Sequence, residues 1–250
     1  MITVTWATAL GATWCRPSSS ADRFIQSQNH STQFLESKKP MPTLEQARAW
    51  YTGADPIHAF DHVERVYHMA ERLARAEGAD LEIVRAAALL HDAEGATPGH
   101  ESRATHHQAS ADFAAEVLAG EGWSQERIAA VQHCIRAHRF RQGEPPQTLE
   151  ARILFDADKL DVLGAVGVAR VIGYAALAGE PAYAEPSEGF LKNGQKEPGE
   201  PHSAYHEYLF KLRRIKERLH TPSARQLAEE RERYLTEFFA RLAAEVRGER

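Results

Sequence analysis

Val63, Val66, Met69, Ala70 and Leu73 recur three or four residues apart, the spacing of one helical stripe, and predict a helix over 58–77. Gly78 closes it, and Asp55-Pro56 separates it from a short helix opened by the capping-box pattern Thr43-Leu-Glu-Gln46. Asp80 is placed to cap the next helix, whose apolar run Ala86-Ala-Ala-Leu-Leu ends in His91-Asp92. Gly95–Gly99, with Pro98, reads as a loop.

Helical patterning returns over 102–119 and stops at Gly120-Glu-Gly122; Ser124 caps a further helix to about Phe140. Gly143 and Pro145-Pro146 mark a linker, and Leu149–Leu177 is apolar and rich in small residues, with Gly164, Gly167 and Gly173 allowing close helix contacts. Residues 180–201, punctuated by Pro and Gly, read as a long surface loop, a length that is unusual unless the segment covers something, as a lid would. A helix is expected over 204–220, then Thr221-Pro222 as N-cap and first-turn proline of a last helix to about Val246. No strand pair, repeat or heptad seam emerges. The expected fold is all-α, one helical bundle over 41–250, preceded by a polar, aperiodic and disordered extension over 1–40.

Composition narrows this picture little. Of 250 residues, 43% are hydrophobic and 26% charged, as in ordinary globular proteins. A net charge of −5 gives no reason to expect nucleic acid or an anionic membrane as partner. Two cysteines, Cys15 and Cys134, make neither a disulfide framework nor a zinc finger, and no apolar run reaches the length of a membrane span. The N-terminal segment has no basic start and makes a poor signal peptide, so a reducing, cytoplasmic setting is the expectation. A homodimer is compatible with all of this.

Thirteen histidines are many, and several fall in helices that otherwise look packed. An imidazole beside a carboxylate against an apolar wall costs free energy unless something pairs them. A divalent cation is the most economical partner expected for His91-Asp92. Neighbours on a helix point about 100° apart, so the two share one ion only in a groove between helices, with further ligands from other segments. Such segments are present: His58 and His62 on one helical face, His106-His107, His133 and His138, and Asp156-Ala-Asp158-Lys159-Leu-Asp161. Mixed imidazole and carboxylate ligands suit manganese, iron, cobalt or zinc better than calcium. Left unfilled, two imidazoles and two carboxylates would have to satisfy one another in the interior, which is hard to arrange.

His62, then His91-Asp92, then Asp158 resembles the H…HD…D signature of the HD-domain metal-dependent phosphohydrolases. The similarity extends to His58-x3-His62-Val-x-Arg65-Val, His107-Gln-Ala-Ser110-Ala, Asp156-Ala-Asp-Lys-Leu-Asp161-x2-Gly-Ala165 and the region from Lys211 through Thr221, Ala224 and Arg225 to Arg231. These blocks resemble a bacterial subgroup that includes nucleoside-triphosphate pyrophosphohydrolases, over roughly 43–247.

The resemblance implies His62, His91, Asp92 and Asp158 as metal ligands, with Asp158 preferred to Asp156 or Asp161. Manganese is the expected metal, with magnesium, cobalt, nickel, zinc or iron(II) as substitutes. Glu94, just after the HD pair, is placed to orient or deprotonate water alongside Asp92. Arg65, Lys159 and Lys211 are the nominated phosphate contacts, against the plain reading of solvated basic residues. His107 and His138 are candidates for a second metal or for hydrogen-bonded support, with His106 and His133 competing for those roles. His58 reads as an orienting residue, and one tightly held metal is expected. His202, His206 and His220 read as surface residues, and Asp161 as a cap or the partner of a base. The activity implied is hydrolysis of a small phosphorylated molecule, a nucleoside triphosphate giving monophosphate and pyrophosphate. A nucleotide monophosphatase and a non-catalytic nucleotide sensor are the alternatives; a diiron oxygenase would need the extra histidines as ligands.

Overall fold

The computed structural model describes residues 41–51, 60–94, 105–139 and 144–250. The extension expected over 1–40, the break at Asp55-Pro56, His58 and the Gly95–Gly99 loop lie outside these residues. Ten α-helices and no strand occur among the described residues.

Helix α1 (Leu44–Arg48) opens with the expected capping box: Gln46 N–H donates to Thr43 Oγ1 at 3.2 Å, and Thr43 N–H to Gln46 Oε1 at 2.8 Å. Helix α2 (Phe60–Glu77) buries Val63, Val66, Ala70 and Leu73, and with them His62. Helix α3 (Leu81–Leu90) is capped by Asp80 and buried at Val84 and at each of residues 86–90, which makes it the central helix of the core. It packs against α2, α5 and α6, while α4 (His106–Gly120) and α5 (Gln125–Ala137) pair as a hairpin across Gly120–Gly122.

Helix α6 (Leu149–Leu160) and helix α7 (Gly164–Leu177) meet at a 66° bend. Two glycines permit it. Gly164 sits at φ +68°, and a Cβ on Gly167 would lie 2.2 Å from the Val162 carbonyl oxygen. The bend turns the last residues of α6, Asp158 among them, and the inner face of α7 toward one cleft. Buried Asp156 performs a separate task. It accepts from His220 N–H (2.8 Å), Thr221 N–H (2.7 Å) and the Thr221 hydroxyl (2.7 Å), docking the start of α10 (Pro222–Val246) on α6. No single helix among the described residues is long and apolar enough to cross a membrane.

Two segments differ from expectation. The 180–201 stretch holds a short helix, α8 (Glu188–Asn193), capped by Ser187 and closed by Gly194 at φ +75°. It is tied down rather than left loose: Glu200 accepts from Ser187 N–H and Oγ–H and from Glu197 N–H, each at 2.7 Å, and the N–H groups of Ala204 and Tyr205 donate to the carbonyls of Pro181 and Ala182. The helix expected over 204–220 ends early. Helix α9 (Ala204–Phe210) gives way to two 3₁₀ turns, Leu212–Arg214 and Lys216–Arg218, because three-residue spacing buries Leu212 and Ile215 while Arg213 and Arg214 stay outside. His206, expected at the surface, is fully buried between Ser203 and Glu200.

Candidate metal centre

Helix α3 ends at Leu90, so His91 and Asp92 stand in the turn beyond its last residue. His91 has no exposed surface, and its Nδ1–H donates to the Ala88 carbonyl at 2.8 Å. That bond leaves Nε2 as the acceptor nitrogen, 3.6 Å from Asp92 Oδ2. His62, on α2, repeats the arrangement. Its Nδ1 is 2.8 Å from Asp161 Oδ2, and its Nε2 lies 3.9 Å from Asp92 Oδ2 and 3.5 Å from Asp158 Oδ1. Among the described residues His91 Nε2 and Asp92 Oδ1 are buried without a hydrogen-bond partner.

Asp92 turns its other oxygen to a second pair of imidazoles. His106 Nε2 is 3.3 Å and His138 Nε2 3.4 Å from Asp92 Oδ1, and His138 Nδ1–H donates to the Ile135 carbonyl. The residue facing Asp92 at the start of α4 is therefore His106; its neighbour His107 is absent from both clusters. His133 is engaged elsewhere, with Glu144 and with Gln147 N–H.

Charge suits a cation. Burial alone would raise the Asp92 carboxyl, yet the His91, His106 and His138 imidazoles outweigh it and hold Asp92 well below the usual carboxylate range. Burial likewise opposes ionisation of Asp158, but Lys159 and the imidazoles of His62 and His138 keep it below its ordinary value. Burial, reinforced by the neighbouring His138 and His62, pushes His91 down to about 4, so it is neutral near pH 7. Ionised carboxylates and neutral imidazoles are the states that bind metal.

The donors fit such an ion. Ligands about 2.0–2.2 Å from a shared cation stand roughly 3.0–3.5 Å apart. Asp92 Oδ2 is 3.6 Å from His91 Nε2 and 3.9 Å from His62 Nε2, all three donors lying within 4.8 Å of one another, and Asp92, His106 and His138 make a second such group; Asp158, 3.5 Å from His62 Nε2, belongs to neither.

The remaining nominated residues divide. Lys159 and Lys211 line a cleft of about 580 Å³ that opens from the His62, Asp92 and Asp158 side chains. Lys159 pairs with Asp158, and Lys211 with Glu207 at 2.8 Å. Arg65 does not line the cleft: its guanidinium is spent on Asp161 (2.7 Å) and Asp61 (2.6 Å). Glu94 is exposed and also outside the cleft lining; its backbone N–H donates to Ser110 Oγ. Asp161 is the partner of bases that its sequence context suggested, with Arg65, Arg170 and His62 around one buried carboxylate. Arg170 lies on the cleft wall, on an apolar helix where nothing in the sequence marks it. The lining also has an apolar part, made by Val162, Val171, Ala175, Leu212 and Ile215 with Tyr174.

A helical core with a His-Asp turn at its centre and imidazoles from neighbouring helices defines the HD class. Residues 59–163 match the HD domain. The chain belongs to this family, and its fold is that of the HD-superfamily hydrolases. It is 31% identical over 218 residues to the Bacillus subtilis protein YpgQ, covering 84% of this chain and 97% of that one. The crystal structure of YpgQ in complex with ADP superposes with a TM-score of 0.63 at 28% identity, covering 82% of this chain and 98% of YpgQ. An HD-superfamily hydrolase from Bacillus thuringiensis superposes with a TM-score of 0.59 at 25% identity, over 82% of this chain and 96% of the other.

Proposed function

We propose that this protein is a metal-dependent phosphohydrolase acting on a nucleotide, converting a nucleoside triphosphate to the monophosphate and pyrophosphate with Mn²⁺ as working metal. One observation carries the reading. The Nε2 atoms of His62 and His91 face Asp92, and His62, Asp92 and Asp158 line a cleft of about 580 Å³ together with Lys159, Arg170 and Lys211. His62, His91, Asp92 and Asp158 would hold the cation. When bound it would supply Lewis acidity, acidifying a water molecule and offsetting phosphoryl charge.

The chain's own residues do the rest. Nδ1 bonds to Asp161 and Ala88 fix the ligating nitrogens of His62 and His91. The basic residues of the cleft neutralise the phosphate chain, and its apolar wall shields the base and sugar from water. The ADP bound by YpgQ supports a nucleotide as the ligand class. His106 and His138, grouped with Asp92, would be the residues to hold a second ion if one binds.

A nucleotide panel assayed with Mn²⁺, Mg²⁺, Co²⁺ and Ni²⁺ tests the proposal. Metal-dependent release of pyrophosphate is expected, with Asp92→Ala at least about a hundredfold slower. Release of inorganic phosphate from monophosphates would instead identify a monophosphatase. Nucleotide binding without turnover would identify a sensor.

A further inference from the structure

Among the described residues that line the cleft, Arg170 keeps several N–H donors without a protein partner. Arg170 projects from the middle of α7, and its side chain is only 14% exposed. Its Nη1 donates to Asp161 Oδ2 and lies 2.9 Å from His62 Nδ1, a nitrogen whose own N–H donates to the same carboxylate. A guanidinium carries five N–H donors. The remaining donors of Arg170, on Nε and Nη2, have no hydrogen-bond or ion-pair partner among the described residues. The other basic residues of the lining are engaged: Lys159 is paired with Asp158, Lys211 with Glu207, and Arg139 is not free either.

Asp161 decides what Arg170 can do. The carboxylate is shared with Arg65, which donates to it through Nε at 2.7 Å and Nη2 at 3.1 Å. Arg65 is held on its other side by Asp61 and does not line the cleft, so Arg170 is the guanidinium of this cluster that the cleft receives. The same carboxylate accepts the hydrogen bond of His62 Nδ1–H, so one buried group positions both a metal-ligand imidazole and the arginine.

We infer that Arg170 is the phosphate-binding residue of this cleft, presenting its free N–H edge to a phosphoryl group beside His62 and Asp158, with Asp161 as the positioning residue that sets its plane. This assignment rests on the phosphohydrolase reading and names the group that holds the substrate's phosphate. A planar fork meets two phosphate oxygens at once, which an ammonium cannot do.

The test is calorimetric binding to the metal-free protein, using ADP, adenosine and inorganic pyrophosphate. Arg170→Ala is expected to weaken ADP and pyrophosphate by about tenfold or more and to leave adenosine unchanged, and Arg170→Lys to recover only part of the loss. In Mn²⁺ turnover assays the Arg170→Ala defect is expected mainly in KM. Equal losses for ADP and adenosine would mean a merely structural role and overturn the assignment. So would undiminished pyrophosphate binding in Arg170→Ala, or no pyrophosphate binding to the wild type. Pyrophosphate binding that depends on Arg170, in a protein that neither binds nor cleaves nucleotides, would uphold Arg170 while removing the nucleotide reading.

Discussion

His62 Nδ1 and Asp161 Oδ2 lie 2.8 Å apart, although 99 residues separate them in the chain. The contact orients the imidazole so that Nε2 points at Asp92 and Asp158. In the proposed site Asp161 would act on the metal through His62, without ligating it. Asp161→Asn is expected to lower Mn²⁺ affinity about 10–100-fold while leaving the number of bound ions unchanged. Titration calorimetry would check this, and wild-type affinity in the variant would remove the positioning role.

His106 and His107 are adjacent, yet only His106 faces Asp92, with Nε2 3.3 Å from Oδ1. His106→Ala is therefore expected to reduce metal content at saturating Mn²⁺, and His107→Ala to leave it near wild type. Elemental analysis of dialysed protein distinguishes them; a loss confined to His107→Ala would contradict the geometry.

Acid should destabilise the metal-free fold through His91. Its folded value is about 4 against an ordinary 6.5, so between those values the unfolded chain binds a proton that the folded chain refuses. The contribution is complete above about 6.5 and lost as pH falls toward 4, up to about 3 kcal/mol in all. Asp92 and Asp158 act in the same direction at lower pH. Urea unfolding over this range should show the decline, and His91→Gln should flatten it. An unsloped wild-type curve would refute the assignment.

Metal should protect the fold, since the site does not exist in the unfolded chain. At a hundredfold excess over Kd, Mn²⁺ is expected to add about 2.7 kcal/mol near neutral pH. The gain should shrink in acid, where protons compete for the imidazoles. Thermal melts with and without chelator would reveal it, and coincident melts would count against a bound ion.

Leu90, fully buried just before the His-Asp turn, should tolerate truncation poorly: Leu90→Ala is expected to cost about 2–5 kcal/mol. Leu177, 64% exposed, should change by less than about 0.5 kcal/mol when truncated. Denaturant midpoints of the two variants provide the comparison.

Local features were legible in the sequence because they depend on three or four neighbouring residues. The caps at Thr43, Asp80, Ser124 and Thr221, the α2 stripe, the buried α3 run and the chain order of His62, His91-Asp92 and Asp158 all belong here. Tertiary packing alone decided between candidates of equal chemistry. His106 and His107 differ only by about 100° of helical phase, which the docking of α4 on its neighbours sets. Arg65 sits one turn from His62 and looked free, but Asp161 arrives from another helix and takes it, leaving Arg170 on the cleft wall. The short α8 owes its place to the Glu200 contacts across the 187–206 segment, as six residues hold no helix by propensity alone.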